Sequence, residues 1–217
     1  MFVDRSDAGR QLASLLAPLK AQHPIVFALP RGGAPVAAEI AKALRAPLDL
    51  LLVRKLGAPS QPELAIGAIV DGAKPTLLLN DEIVRSLHVT PGEIAQIRDV
   101  ELGVIERRRK SYFKGRPPLS AKGRFVIVVD DGLATGATAR AALNALRQQG
   151  ASRIALAVPV APPQTLQDLA LECDEIYCLQ EQDYFPGVGA FYRDFRQLTD
   201  AEVIAILDSL DQNGVPA

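Results

Sequence analysis

The sequence predicts an α/β fold: a doubly wound parallel sheet interrupted by an inserted hairpin and long helix. Three observations predict it. Short runs of branched apolar residues alternate with longer stretches of helical periodicity, the order that builds α/β sheets. Those runs are apolar at successive rather than alternate positions, as strands covered by helices on both faces must be. One segment, residues 65–123, departs from the rhythm.

The elements follow in chain order. The expected strands are "IVFAL" (25–29), "LDLLLV" (48–53), "FVIVV" (125–129) and "RIALAVPV" (153–160), with the shorter "EIYCL" (175–179) as one more. Between them, "APVAAEIAKAL" (34–44), "GATARAALNALRQQG" (136–150) and "PPQTLQDLALE" (162–172) read as helices, and Gly150 stands where a helix would stop. In the departing segment, "AIGAIVDGAKPTLLLN" reads as two strands joined at Asp71-Gly72, a dipeptide that favours hairpin turns. A long polar helix follows over Pro91–Phe113, and the basic run "ERRRKSYFKGR" closes it. An insertion of this size between strands commonly serves as a lid or an oligomer contact.

Composition narrows the function classes. A chain of 217 residues suits one domain with a full core. Its 24 basic and 25 acidic residues leave a net charge of −1, which argues against a nucleic-acid or membrane-surface partner held by bulk charge. No apolar stretch approaches the roughly 20 residues that span a bilayer. The start, "MFVDRSDAGRQLA", lacks the basic-then-apolar pattern of a signal peptide. Cys173 and Cys178 do not make a disulfide framework, and with His23 and His88 far away in sequence they offer no zinc site. The expectation is a cytoplasmic protein.

Asp130 and Asp131 directly follow the run "FVIVV". In open α/β sheets, ligands bind beyond the carboxyl ends of the strands. A single aspartate there would cap a helix or form a turn. Two adjacent carboxylates repel near a low-dielectric core, so capping alone explains the pair poorly. The loop "GLATGAT" comes next. Gly132 and Gly136 permit positive φ, Ala134 and Ala137 leave the backbone open, and Thr135 and Thr138 add hydroxyls at a helix entrance. Backbone N–H groups at a helix start form an anion site, although an ordinary helix start explains the loop alone about as well. The spacing is neither that of a Walker loop nor that of a dinucleotide fingerprint. Carboxylates that accept hydroxyls, beside a loop that donates to phosphate, suit a ribose 5-phosphate.

The stretch "VIVVDDGLATGAT" resembles the phosphoribosyl-pyrophosphate (PRPP) motif of type I phosphoribosyltransferases. The resemblance implies that Asp130 and Asp131 bind the ribose 2- and 3-hydroxyls, while Ala134, Thr135, Gly136, Ala137 and Thr138 wrap the 5-phosphate. Two more strand ends match in chain order. "ALPRGGAPVAAEI" supplies Arg31, Gly32 and Gly33, and "VRKLGAP" supplies Arg54 and Lys55. Taken separately, these stretches read as a tight strand-to-helix turn and as surface charge. Together they resemble the family's pyrophosphate loop and strand-end lysine, and imply that Arg31 and Lys55 stabilise the leaving pyrophosphate. Glu63 is a weak candidate for a general base.

The implied protein is a single domain over 1–217, with residues 65–123 as a lid insertion and 180–217 as a hood and C-terminal helix. Its implied activity is Mg²⁺-dependent transfer of the phosphoribosyl group from PRPP to a nucleobase or related acceptor, the ion bound mainly through PRPP, in a homodimer. Hypoxanthine and guanine enzymes of the family place an acidic residue where this chain has Ala134, so the motif is closer to adenine phosphoribosyltransferases. A PRPP-binding regulator on the same fold is the main rival, since fold does not fix activity. A phosphohydrolase using Asp130 as nucleophile is a third reading, which leaves the T-G-x-T loop unexplained.

Two further clusters carry a reading each way. Residues 107–110, with Tyr112, Lys114 and Arg116, fit a solvated helix face with pairs such as Glu106–Lys110 better than a phosphate-covering lid. The aromatics Tyr184, Phe185, Phe191, Tyr192 and Phe195 fit a nucleobase-stacking surface or a hydrophobic plug at the sheet edge equally well.

Overall fold

The computed structural model describes residues 1–72 and 74–212. Ala73 in the expected hairpin and residues 213–217 of the expected hood lie outside the described residues.

Five strands, β1 (Ile25–Ala28), β2 (Leu48–Leu50), β6 (Phe125–Val129), β7 (Arg153–Ala161) and β8 (Glu175–Glu181), form one sheet in the order β2-β1-β6-β7-β8. Every pairing in it is parallel. The strands alternate their side chains between two helical layers. Val26, Ala28, Ile127 and Val129 face one core, which is shared with α1 (Arg5–Leu16), α2 (Gly33–Leu44) and α7 (Asp200–Gln212). Ile25, Phe27, Val126 and Val128 face the other, with α5 (Ala137–Gln148) and α6 (Pro163–Leu169). Burial on both sides is why these runs are apolar at every position. Among the described residues, no helix is long and apolar enough to cross a membrane.

The run "LDLLLV" does not form one strand. β2 ends at Leu50, and the chain then leaves the sheet to begin β3 (Val53–Ala58). β3 joins β4 (Gln61–Val70) and β5 (Thr76–Leu79) in a separate antiparallel sheet. Polar bonds fix the departure point. The Leu52 N–H donates to Asp71 Oδ1 at 2.6 Å, and the Asp71 N–H donates back to the Leu52 carbonyl at 3.0 Å. Asp71 is thus a buried clasp at the foot of the hairpin as well as the first residue after β4. The insertion accordingly starts at Val53 rather than at residue 65.

The insertion continues through α3 (Asp81–Ser86) into α4 (Pro91–Phe113), whose bounds are those expected. The start of α4 is written locally. Thr90 and Glu93 form a reciprocal capping box, with Pro91 at the first position. Within α4, Arg109 is not on a solvated face. It lies half-buried against the buried Asp49 and Asp71, while Arg107, Arg108 and Lys110 are exposed. The insertion is therefore bolted to the main sheet by an ion triad.

Candidate active site

The sheet brings two strand ends together. β1 and β6 are neighbours, with Ala28 in register with Val129, so the turn 30–33 lies against Asp130 and Asp131. A Cβ placed on Gly32 would stand 2.1 Å from Asp131 Oδ2, and one on Gly33 would stand 2.5 Å from the Val129 carbonyl oxygen. Backbone forbids a side chain at Gly33, whereas at Gly32 the obstacle is the Asp131 carboxylate itself. Gly32 and Gly33 of the expected turn thus lie directly against the acid pair.

The acid pair is half-buried at the end of β6. Burial, then the adjacent Asp131 charge, push the Asp130 carboxyl well above the ordinary carboxylate range. Burial also raises Asp131, against the pull of a cation the sequence did not announce: Arg5 Nε donates to Asp131 Oδ2 at 2.7 Å. The Asp131 N–H donates to Asp130 Oδ1 at 2.9 Å, and the Tyr192 hydroxyl donates to the Asp131 carbonyl at 2.6 Å.

Beyond the pair, the loop turns into α5 through Gly136, which caps the helix at φ +69 with no side-chain capping bond. Thr135, Ala137 and Thr138 are exposed at the helix start, and the Ala134 carbonyl accepts from Thr165 Oγ1 at 2.7 Å. An uncapped helix start with donors in the open is suited to a phosphate. An open cleft of about 880 Å³ runs from this loop along α5 under the hairpin sheet, lined by Lys55, Thr135, Ala137, Thr138, Arg140 and Asn144 among others.

The remaining predicted residues are dispersed. Lys55 shares the cleft with the threonine loop, and its Nζ reaches the Glu63 carboxylate at 3.2 Å. Glu63 is wholly solvent-exposed. Arg31 instead faces Asp200 at 3.9 Å, so the two cations assigned to the pyrophosphate hold different carboxylates. Asp200 also accepts from the Tyr112 hydroxyl at 2.7 Å; burial and this bond push the phenol up to about 12. Arg54 turns away from the cleft to Glu101 on α4, 2.6 Å from its Nε, because successive side chains of a strand point to opposite faces.

The aromatic segment packs as a plug. Phe185, Phe191, Tyr192 and Phe195 gather with Phe2 and Val160, and only Tyr184 of the five stays fully outside, at 83 % exposure. Arg5 and Phe2 escaped the sequence reading because nothing local ties the first residues of a chain to a loop more than a hundred positions away.

Comparison with known proteins decides the family. The family described as "Phosphoribosyl transferase domain" matches residues 7–188. The chain belongs to the phosphoribosyl transferase family. A Mycobacterium tuberculosis protein named "Putative phosphoribosyl transferase" is 47 % identical over 208 residues, covering 96 % of this chain and 46 % of that protein. The chain thus spans about half the length of the curated relatives it matches. A uracil phosphoribosyltransferase of Lactobacillus gasseri is 35 % identical over 108 residues, 45 % of this chain and 49 % of its own length. The crystal structure of TT1426 from Thermus thermophilus superposes with a TM-score of 0.83 at 42 % identity, covering 95 % of this chain and 97 % of that one.

In this phosphoribosyl transferase domain, the acid pair follows β6 and the 30–33 turn follows β1, at neighbouring strand ends. Among the described residues no group of three or more His, Cys, Asp or Glu is gathered to hold a metal. The oxygen donors of the acid pair are of the type that suits hydrated Mg²⁺.

Proposed function

We propose that this domain transfers the 5-phosphoribosyl group of PRPP to a nucleobase, with release of pyrophosphate. One observation carries the reading: the Arg31-Gly32-Gly33 turn, the Asp130/Asp131 pair and the uncapped start of α5 lie together at adjoining strand ends. That arrangement offers hydroxyl acceptors between two groups of anion donors, which is the layout of PRPP itself.

In this reading Asp130 and Asp131 accept from the ribose hydroxyls, and Gly136 lets the first turn of α5 donate to the 5-phosphate. Arg31 exchanges its long contact with Asp200 for the leaving pyrophosphate, and Lys55 exchanges Glu63 for the same group. Cations and backbone donors stabilise the charge that develops on that leaving group most where water is excluded. Mg²⁺, when bound through the substrate oxygens, neutralises part of the pyrophosphate charge. Ala134 offers no carboxylate to the base, which favours acceptors other than 6-oxopurines. A homodimer belongs to the same reading and is checked by sedimentation.

The experiment is ³¹P NMR of PRPP and Mg²⁺ with the protein, before and after adding a pool of purine and pyrimidine bases. Base-dependent appearance of pyrophosphate is expected. Broadened PRPP signals that never convert point instead to a PRPP-binding regulator, and unchanged signals remove PRPP as the ligand.

A further inference from the structure

The Asp131 carboxylate is held by residues outside the stretch that the family description matches. Arg5 opens α1, and Tyr192, Phe195 and Arg196 follow the last matched residue, whereas the family match runs over residues 7–188. Yet Arg5 and Tyr192 bond Asp131 directly, and Phe195 and Arg196 hold Arg5 there. Arg5 places Nε on Asp131 Oδ2 at 2.7 Å and Nη1 on the Arg196 carbonyl at 3.0 Å, while its guanidinium carbon lies 3.9 Å from the centre of the Phe195 ring. The two side chains of the ion pair are only 10 % and 13 % exposed. Tyr192 closes the set from the main-chain side, on the Asp131 carbonyl.

Neither end of this clamp is loose. The Phe2 N–H donates to the Phe191 carbonyl at 2.8 Å, and Arg193 and Asp194 return bonds to the Phe2 and Val3 carbonyls at 2.9 and 3.0 Å. The N-terminal residues are thus stitched to the C-terminal segment, and Asp4 caps the helix on which Arg5 sits. Guanidinium is a planar fork with fixed donor directions. With one tooth on a backbone carbonyl and its face on an aromatic ring, the remaining tooth fixes where Asp131 points.

We propose that Arg5 is a positioning residue for the sugar: it stays on Asp131 when ligand binds, orienting that carboxylate towards the ribose hydroxyls and coupling it to the C-terminal hood. The proposal rests on the phosphoribosyl reading above. One bond to Oδ2 leaves acceptor capacity on the same carboxylate, since its two oxygens offer about four lone-pair sites. Two adjacent aspartates in a buried site would otherwise share protons and turn towards each other. The Arg5 guanidinium at Oδ2 opposes this, pulling on the Asp131 carboxyl against the rise that burial causes.

The test compares ribose 5-phosphate and Mg²⁺-pyrophosphate as separate ligands, by calorimetry, in the wild type, Arg5→Gln and Arg5→Lys. A positioning residue at the sugar affects only the first ligand. We expect Arg5→Gln to weaken ribose 5-phosphate about tenfold and to leave pyrophosphate within about twofold, the size of one lost charge-assisted bond. Arg5→Lys keeps the charge without the fork and should fall between the two; it carries the test if the glutamine variant does not fold. Equal losses for both ligands would reduce Arg5 to a structural prop and overturn the proposal. Tighter binding of ribose 5-phosphate would overturn it too, by making Arg5 a competitor of the sugar. A wild type that binds neither ligand removes the phosphoribosyl reading itself, before any variant is compared.

Discussion

Arg109 meets Asp49 with a single nitrogen on both carboxylate oxygens, Nη2 lying 2.9 Å from Oδ1 and 2.8 Å from Oδ2. Its Nη1 reaches Asp71 Oδ2 at 2.7 Å, and the Leu119 N–H donates to Asp49 at 2.7 Å. Asp49 lies in β2, Asp71 follows β4 and Arg109 lies in α4. One guanidinium therefore ties the inserted hairpin and the long helix to the edge of the parallel sheet.

Removing that cation leaves two buried carboxylates with backbone N–H donors but no positive charge. Arg109→Met should destabilise the fold by about 3–5 kcal/mol, the cost of breaking a buried pair from one side. Chemical denaturation at neutral pH reads this directly. Arg109→Lys should recover little, because an ammonium cannot span both carboxylates with fixed geometry. A loss below about 1 kcal/mol, the size of a surface pair, would mean that the triad does not hold the insertion.

The same triad has a pH signature of unusual sign. Burial, the largest cause, raises Asp71 from 3.8 to about 6, against the pull of Arg109. A carboxyl that is more basic in the folded chain than in the unfolded one binds its proton more tightly when folded. Its contribution to stability is fully present below about pH 4 and is lost as pH rises through about 6. Asp49 shifts in the same direction for the same first cause. Unfolding free energies of the wild type minus those of Asp71→Asn should thus decline between pH 4 and 6, with a slope of at most roughly 1.4 kcal/mol for each step of one in pH. A difference that rises over this window would show that the ion pair outweighs burial.

How much of this could be read from the sequence divides along a physical line. The strands of the parallel sheet and the long helix were legible because their signals are local: successive apolar residues, and a Thr-Pro-x-Glu start that caps itself. The acid pair and the turn at 31–33 were legible for the same reason. The break in "LDLLLV" was not, because an apolar run carries no mark of where a strand changes sheets. What decides it is Asp71, nineteen positions from Leu52. Arg109 hid inside a run of four basic residues, where only the fold distinguishes the inward one. Arg5 and Asp131 are 126 positions apart, and nothing in either neighbourhood names the other.

The acid pair itself offers a direct test of ligand class. Asp130→Asn with Asp131→Asn keeps the shape of both side chains but removes their acid character and replaces one acceptor oxygen of each with an amide donor. PRPP affinity should fall by about tenfold or more, the size of at least one lost charge-assisted bond. The far-ultraviolet circular dichroism should be unchanged. Unaltered affinity would take the ribose away from this pair.

Two adjacent glycines separate the site from the scaffold. Gly32 has φ −61 and ψ −40, a conformation open to any residue, so its backbone tolerates a side chain. The space does not, because a Cβ there would stand 2.1 Å from Asp131 Oδ2 and 2.5 Å from its Cγ. Gly32→Ala must therefore turn the carboxylate aside and disturb its contact with Arg5. At Gly33 the obstacle is backbone: the Val129 carbonyl oxygen at 2.5 Å and the Asp130 Cα at 3.0 Å. Gly33→Ala has to push apart two neighbouring strand ends, an overpacking that costs about 1–3 kcal/mol. The expected contrast is a Gly32→Ala protein of nearly normal melting temperature that binds ribose 5-phosphate at least about tenfold more weakly, beside a Gly33→Ala protein whose melting temperature falls. Thermal denaturation and calorimetry on the two variants decide it. If Gly32→Ala bound the sugar phosphate normally, Asp131 would have room to move and would not be the fixed point of the site.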